Sequence, residues 1–300
     1  MTDTGVNALF AEKRGGIFPL LVWDRPPVPH HVGLVLGGGS ARAMTHIGVL
    51  EVFEEEGIPI NMIAACSGGA VVGALLAAGV SPKKMHELSR GLSWQTLTTP
   101  SLRPRHLTSL RLIRNGFPLG LLSLDPLMDW LEENMGGVQE FSQLKVSFAA
   151  VATDISTGEL VVMNDGKIGP AVRASCSVPG IFTPFRRNDR LLVDGGVIAN
   201  LPVQVARQMG AEYVIAVNLL PFPGTPRKEP ENIVDLSLTS IYDLIRANGV
   251  YSEHADCTIS PDIDRFSFRD LTAAEELIAE GRAAAEAQLP KIRHALGLQK

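Results

Sequence analysis

Residues 32–36 (VGLVL) are continuously apolar and run straight into Gly37-Gly38-Gly39, which reads as a buried strand entering a glycine turn. A helix is expected over 41–56. Ile47, Leu50 and Phe53 give it an apolar stripe, Glu51, Glu54 and Glu55 a wet face, and Gly57 a stop. NMIAACS predicts a second strand near 62–66, and GGAVVGALLAAG a helix of small residues closing at Gly79. Strand, glycine turn, helix, strand, sharp turn and helix form a βαβ opening, so the sheet is expected to be parallel. Further strands are expected at 146–155, 159–164, 190–196 and 213–220, with a helix over 202–209. The segment LTAAEELIAEGRAAAEAQLPKI reads as an amphipathic helix with Leu271, Leu277, Ile278 and Leu289 on its apolar side.

Two stretches break these rhythms. Residues 1–31 read as an irregular N-terminal arm, with Trp23, Pro26, Pro27 and Pro29 favouring extended chain, and 32–300 as one domain. Within it, 81–124 carries Lys83, Lys84, Arg90, Arg103, Arg105, Arg111 and Arg114 against the acid Glu87, interleaved with Leu92, Trp94, Leu107, Leu110, Phe117 and Leu121. Its plain reading is a helical subdomain with solvated arginines. The sharper reading is a lid or lip making peripheral contact with an anionic lipid surface.

Composition narrows the field. Apolar residues make up 45% of the 300 and charged residues 20%, which excludes a disordered or collagen-like chain. A net charge of −5 supplies no basic footprint for nucleic acid. Three cysteines, Cys66, Cys176 and Cys257, make no disulfide framework and no zinc spacing, so a reduced, cytoplasmic setting is expected. No secretory signal opens the sequence and no apolar run is long enough for a membrane helix. Oligomeric state is not legible.

Three features could carry chemistry. Gly37-Gly38-Gly39-Ser40-Ala41-Arg42 lies between a strand and a helix, where backbone amides and the helix N-terminus favour an anion or oxyanion. It is not a dinucleotide turn: Arg42 stands where the third glycine belongs, and Cys66-Ser67 where the acid belongs. No phosphate-binding P-loop motif occurs. Ala65-Cys66-Ser67-Gly68-Gly69 has the small neighbours that a strained nucleophile elbow needs, with Ala65 in place of the usual first glycine. Its plain alternative is a serine capping the next helix. Asp194-Gly195-Gly196 ends a strand, where sheet-borne active sites lie, although Asp-Gly also marks an ordinary turn. Together they offer a hydroxyl nucleophile, a carboxylate base and amide donors for a tetrahedral intermediate.

With those segments in view, the chain resembles the bacterial patatin-like phospholipases and acyl hydrolases. The resemblance rests on GLVLGGGSARAMTHIGVLEVFEEEGI, IAACSGGAVVGALLAAG, ASCSVPGIFTPF and LLVDGGVIANLPV, in that order over most of 32–220. It implies a three-layer α/β/α fold with a mainly parallel central sheet. It further implies a Ser67–Asp194 dyad acting on lipid or carboxyl esters, and an oxyanion hole at Gly37, Gly38, Gly39 and the Arg42 region. No histidine pair has HExxH spacing and no acid cluster suggests calcium or zinc, so neither a metal nor a cofactor is expected. Ala43 and Ala65 depart from the family's glycines, and they are the sole sequence support for a catalytically weak lipid-binding or regulatory homologue. A Ser67–Asp194–His254 triad is the other alternative. His46 is expected to have a core or capping role, Cys66 and Cys176 to be buried small residues, Arg173 to steady the loop up to Pro184, and Asp154 to organise a hairpin turn at 156–158.

Overall fold

The computed structural model describes residues 28–101, 119–220, 229–247 and 255–298. In chain order its strands are β1 (Val32–Leu36), β2 (Met62–Cys66), β3 (Thr99–Pro100), β4 (Gly120–Ser123), β5 (Ser147–Asp154), β6 (Glu159–Met163), β7 (Gly180–Phe182), β8 (Phe185–Arg187), β9 (Arg190–Asp194), β10 (Tyr213–Val217) and β11 (Cys257–Ile259). The first helices are α1 (Thr45–Glu55), α2 (Gly68–Ala78) and α3 (Pro82–Ser89). Most of the expected 1–31 arm and the arginines at 103–114 lie outside the described residues.

The central sheet runs β11-β10-β1-β2-β5-β9-β8, with β6 along the other edge of β5. The β11-β10-β1-β2-β5 part is parallel, and β9, β8 and β6 join antiparallel. Alternation divides the buried residues between two faces. Leu34, Leu36, Ile63, Ala65, Ala150 and Ile215 pack toward α1, α2 and the helices Ile168–Ser175 and Ala274–Ala295. Val35, Ala64, Cys66, Val151 and Val214 pack toward the helix Val203–Gln208. Burial on both sides explains why these strands are apolar without interruption. The result is the expected three-layer α/β/α arrangement.

Several boundaries shift for local reasons. The expected helix over 41–56 begins as a 3₁₀ turn, Ser40–Met44, because Ala41 N–H donates to Phe268 O and Arg42 N–H to Gly39 O. Glu51 is not on a wet face. It takes a hydrogen bond from Arg282 at 3.2 Å and pairs with His86 at 2.8 Å where Ala274–Ala295 crosses α1. The strand expected over 190–196 stops at Asp194, whose Oδ1 accepts Gly196 N–H at 2.8 Å and turns the chain. The 156–158 turn forms as expected, with Ser156 N–H on Asp154 Oδ1 at 3.0 Å.

One detail of register matters most. β2 pairs with β5 up to Cys66↔Val151, and β9 pairs with β5 from Asp194↔Ala152. β6 pairs with both Ala150–Val151 and Ala152–Asp154 from the opposite edge. Strands β2 and β9 therefore share one edge of β5 and run toward each other. Their carboxyl ends meet at Val151–Ala152.

Candidate active site

Ser67 follows β2 directly and sits at φ 52°, ψ −128°, a conformation costly for any residue with a side chain. Two contacts hold it there. Its N–H donates to Ser175 Oγ at 2.8 Å, and its carbonyl accepts Ala70 N–H at 2.8 Å as α2 begins. The Ala65 methyl is fully buried and lies against Gly73 of α2, where a second methyl would stand 3.4 Å from it. Ser175 is a residue the sequence reading did not single out. Its only signal is a short hydroxyl at the end of an apolar helix.

Asp194 arrives from the opposing strand. Cys66 Sγ lies 3.5 Å from its Oδ1, as the head-on register requires. The carboxylate is 3% exposed, and the Ser67 hydroxyl lies close enough to it to lower its pKa. Burial pushes its pKa from 3.8 up to about 6, against the lowering pull of the Ser67 hydroxyl, Gly196 N–H and Cys66. A carboxylate so raised is a usable base near neutral pH. Burial and the same aspartate push the Cys66 and Cys176 thiols well above their ordinary values, so both stay protonated and neither is a nucleophile.

The glycine turn lies against the serine. A methyl added to Gly38 would stand 3.0 Å from Ser67 Cβ and 2.6 Å from Asn200 Oδ1, so a side chain there has no room. Of the expected donors, Gly37 N–H is taken by Val217 O at 3.1 Å, Gly38 N–H by Asn200 O at 3.3 Å and Arg42 N–H by Gly39 O at 3.1 Å. Gly39 N–H and Gly68 N–H, at the starts of the 3₁₀ turn and α2, have no hydrogen-bond partner among the described residues. The Arg42 side chain is committed elsewhere: it donates to Phe266 O at 2.7 Å and stacks 4.0 Å above the Phe268 ring. It braces the turn from behind. His46 does the same from within the core. Its Nε2 lies 2.8 Å from Gly37 O, and burial lowers its pKa to about 4, so the imidazole is neutral and donates to that carbonyl. Asn200, also unforeseen, donates to Gly38 O at 3.3 Å.

Ser67 opens on an apolar cavity of about 100 Å³. Met44, Leu75, Met85, Trp94, Trp130 and Phe182 are among its walls. Leu92 and Trp94, which interleave the basic residues of 81–124, thus face a cavity; Arg103, Arg105, Arg111 and Arg114 lie outside the described residues. Arg173 steadies the loop after its helix, donating to Thr183 O at 2.7 Å, Ser177 Oγ at 3.0 Å and Asp125 at 3.1 Å. His254, the third member of the triad alternative, is outside the described residues. Among the described residues no group of three His, Cys, Asp or Glu converges on a metal position, and no helix is long and apolar enough to cross a membrane.

Comparison with known proteins bears on the family and the fold. An uncharacterized NTE family protein of Mycobacterium tuberculosis is 35% identical over 201 residues, covering 67% of this chain and 52% of its own length. Human patatin-like phospholipase domain-containing protein 6 is 32% identical over 190 residues, covering 63% of this chain and 13% of its own length. The chain thus spans about half of the mycobacterial relative and a small part of the human one. Among solved structures, VipD from Legionella pneumophila superposes with a TM-score of 0.52 at 15% identity, covering 89% of this chain and 67% of that one. ExoU of Pseudomonas aeruginosa, in its complex with SpcU, gives a TM-score of 0.51 at 17% identity, covering 88% and 53%. These two likenesses are of fold. The family model for patatin-like phospholipases matches residues 34–207, more than half of the chain and the whole span from the glycine turn through the Asp-Gly-Gly turn, and the chain belongs to the patatin-like phospholipase family.

Proposed function

We propose that the protein is a serine acyl hydrolase that cleaves lipid or carboxyl esters through Ser67 and Asp194. The observation that carries this is a buried aspartate with raised pKa, within reach of the hydroxyl of a strained serine that opens on an apolar cavity. Ser67 Oγ attacks the ester carbonyl and its proton passes to Asp194. The oxyanion is met by Gly39 N–H and Gly68 N–H, which have no hydrogen-bond partner among the described residues. Collapse expels the alcohol, which takes the proton from Asp194 and leaves an acyl-Ser67 ester. Water then repeats the sequence and releases the acid.

The cavity supports a fatty acyl group, since its walls are almost wholly carbon. The names of the relatives, patatin-like phospholipase domain-containing proteins, support a phospholipid among the substrates. Access to aggregated lipid calls for a peripheral membrane contact. Leu119 and Leu121, 66% and 47% exposed beside the basic segment, supply apolar residues for it.

A fluorophosphonate probe tests the assignment. Labelling and ester turnover are expected in the wild type and absent in Ser67→Ala. Labelling that persists in the variant overturns the proposal. A panel of acyl glycerols, phospholipids and lysophospholipids of graded chain length then fixes the substrate.

A further inference from the structure

We propose that Leu75 and Met85 form the floor of the acyl cavity and set the length of chain it accepts, so that the preferred esters carry a short acyl group of about four to six carbons. This rests on the Ser67–Asp194 reading above and says which esters that site prefers.

Chain order fixes which end of the cavity is deep. Ser67 caps α2, and Val71, Val72 and Leu75 of that helix line the cavity beyond it. At about 1.5 Å per residue, Leu75 lies about 12 Å along the helix axis from Ser67. Gly79, at φ 91°, ends α2, and Ser81 already caps α3. So short a connection sends α3 back alongside α2. Met85, in the first turn of α3, therefore meets the cavity where α2 ends, and Leu88 and Leu92 line it progressively nearer the serine. Trp94 completes the return. Its ring stacks on Phe182, with centroids 6.3 Å apart, in the loop that follows Ser175, and Ser175 Oγ holds Ser67 N–H at 2.8 Å.

Burial follows the same direction. Met85 and Leu75 are 2% and 3% exposed, whereas Leu88, Leu92 and Trp94 are half-buried. The cavity is thus sealed between the end of α2 and the start of α3, and its other end holds the nucleophile. An acyl chain bound to Ser67 extends toward Met85.

Volume then gives the length. A cavity of about 150 Å³ takes a benzene ring, so one of about 100 Å³ takes about four carbons. The unbranched thioether of Met85 has rotamers to spare and adjusts to about one or two carbons more. A lauroyl chain would have to displace the floor itself, and Leu75 and Met85 belong to the close-packed core on this face of the sheet.

The test measures kcat/KM on p-nitrophenyl butyrate, hexanoate, octanoate and laurate. While the chain still fits, each buried methylene is worth about four-fold. Wild-type activity is expected to peak at butyrate or hexanoate and to fall about ten-fold or more by laurate. Met85→Ala removes Cγ, Sδ and Cε from the floor and is expected to raise the octanoate-to-butyrate ratio about ten-fold or more. Leu75→Phe raises the floor and is expected to lower that ratio by a similar factor. A ratio does not depend on how much of a variant is folded. A ratio within about two-fold of wild type in either variant, or a wild type that prefers laurate to hexanoate, overturns the proposal. Ser67→Ala run in parallel separates the two readings: turnover surviving there refutes the dyad itself, whereas an inert Ser67→Ala beside unmoved ratios refutes only the floor.

Discussion

Replacing Asp194 by asparagine removes a buried charge while keeping the shape of the side chain and an oxygen for Gly196 N–H. The consequence for stability follows from the pKa. In the folded protein the carboxyl titrates near 6, against 3.8 when free. Below 3.8 it is protonated whether the chain is folded or not, and it costs folding nothing. As pH rises through 6 the folded chain must give up a proton that the unfolded chain has already lost, and stability falls. At about 1.4 kcal/mol per pH unit, the loss is about 3 kcal/mol by neutral pH.

His46 acts with the opposite sign. Its pKa drops from 6.5 to about 4, so its contribution is present above 6.5 and is lost as pH falls toward 4. The two slopes oppose each other in the wild type and make its stability flat across this window. Their difference is isolated by subtraction, because Asp194→Asn retains His46. Urea unfolding from about pH 4 to pH 8 is expected to show the variant matching the wild type at the acid end and exceeding it by about 3 kcal/mol at the alkaline end. The same variant is expected to be inactive, while wild-type kcat/KM rises with pH through about 6 as the base is freed. Parallel stability curves, with one constant offset from pH 4 to pH 8, refute the raised pKa and with it the case for Asp194 as base.

Two further substitutions test the supports of the site. Ser175→Ala deprives the buried Ser67 N–H of its acceptor, at an expected cost of about 1–3 kcal/mol in urea unfolding and a parallel fall in kcat; full stability with full activity would show that the elbow holds itself. Gly48→Ala places a methyl inside the Ile278 carbonyl where α1 crosses Ala274–Ala295, so a loss of about 3 kcal/mol or more is expected in Tm measurements, and a wild-type Tm would contradict the observed helix contact.

The parts of this molecule that were legible from sequence are those written in local code. β1, β2 and α2 lie where the apolar runs and glycines put them, because a strand buried on both faces tolerates nothing polar and a left-handed helix end needs Gly79. The elbow at Ser67 was legible for the same reason: small neighbours on both sides are a local steric demand. What could not be read is whatever depends on register between distant strands. Nothing in RLLVDGG states that β9 turns antiparallel and shares an edge of β5 with β2, yet that pairing alone brings the carboxylate to the serine. Gly37, Gly38 and Arg42 were expected as donors because their amides follow a strand, and each is spent on a long-range or turn partner that only the folded chain supplies. Ser175 was invisible in the same way. Its significance lies in a specific hydrogen-bond partner in space, and no spacing along the chain encodes that. An active site made where two strands collide end to end therefore has its nucleophile written in one short motif, while the groups that position and assist that nucleophile are scattered over helices whose sequences look like ordinary core.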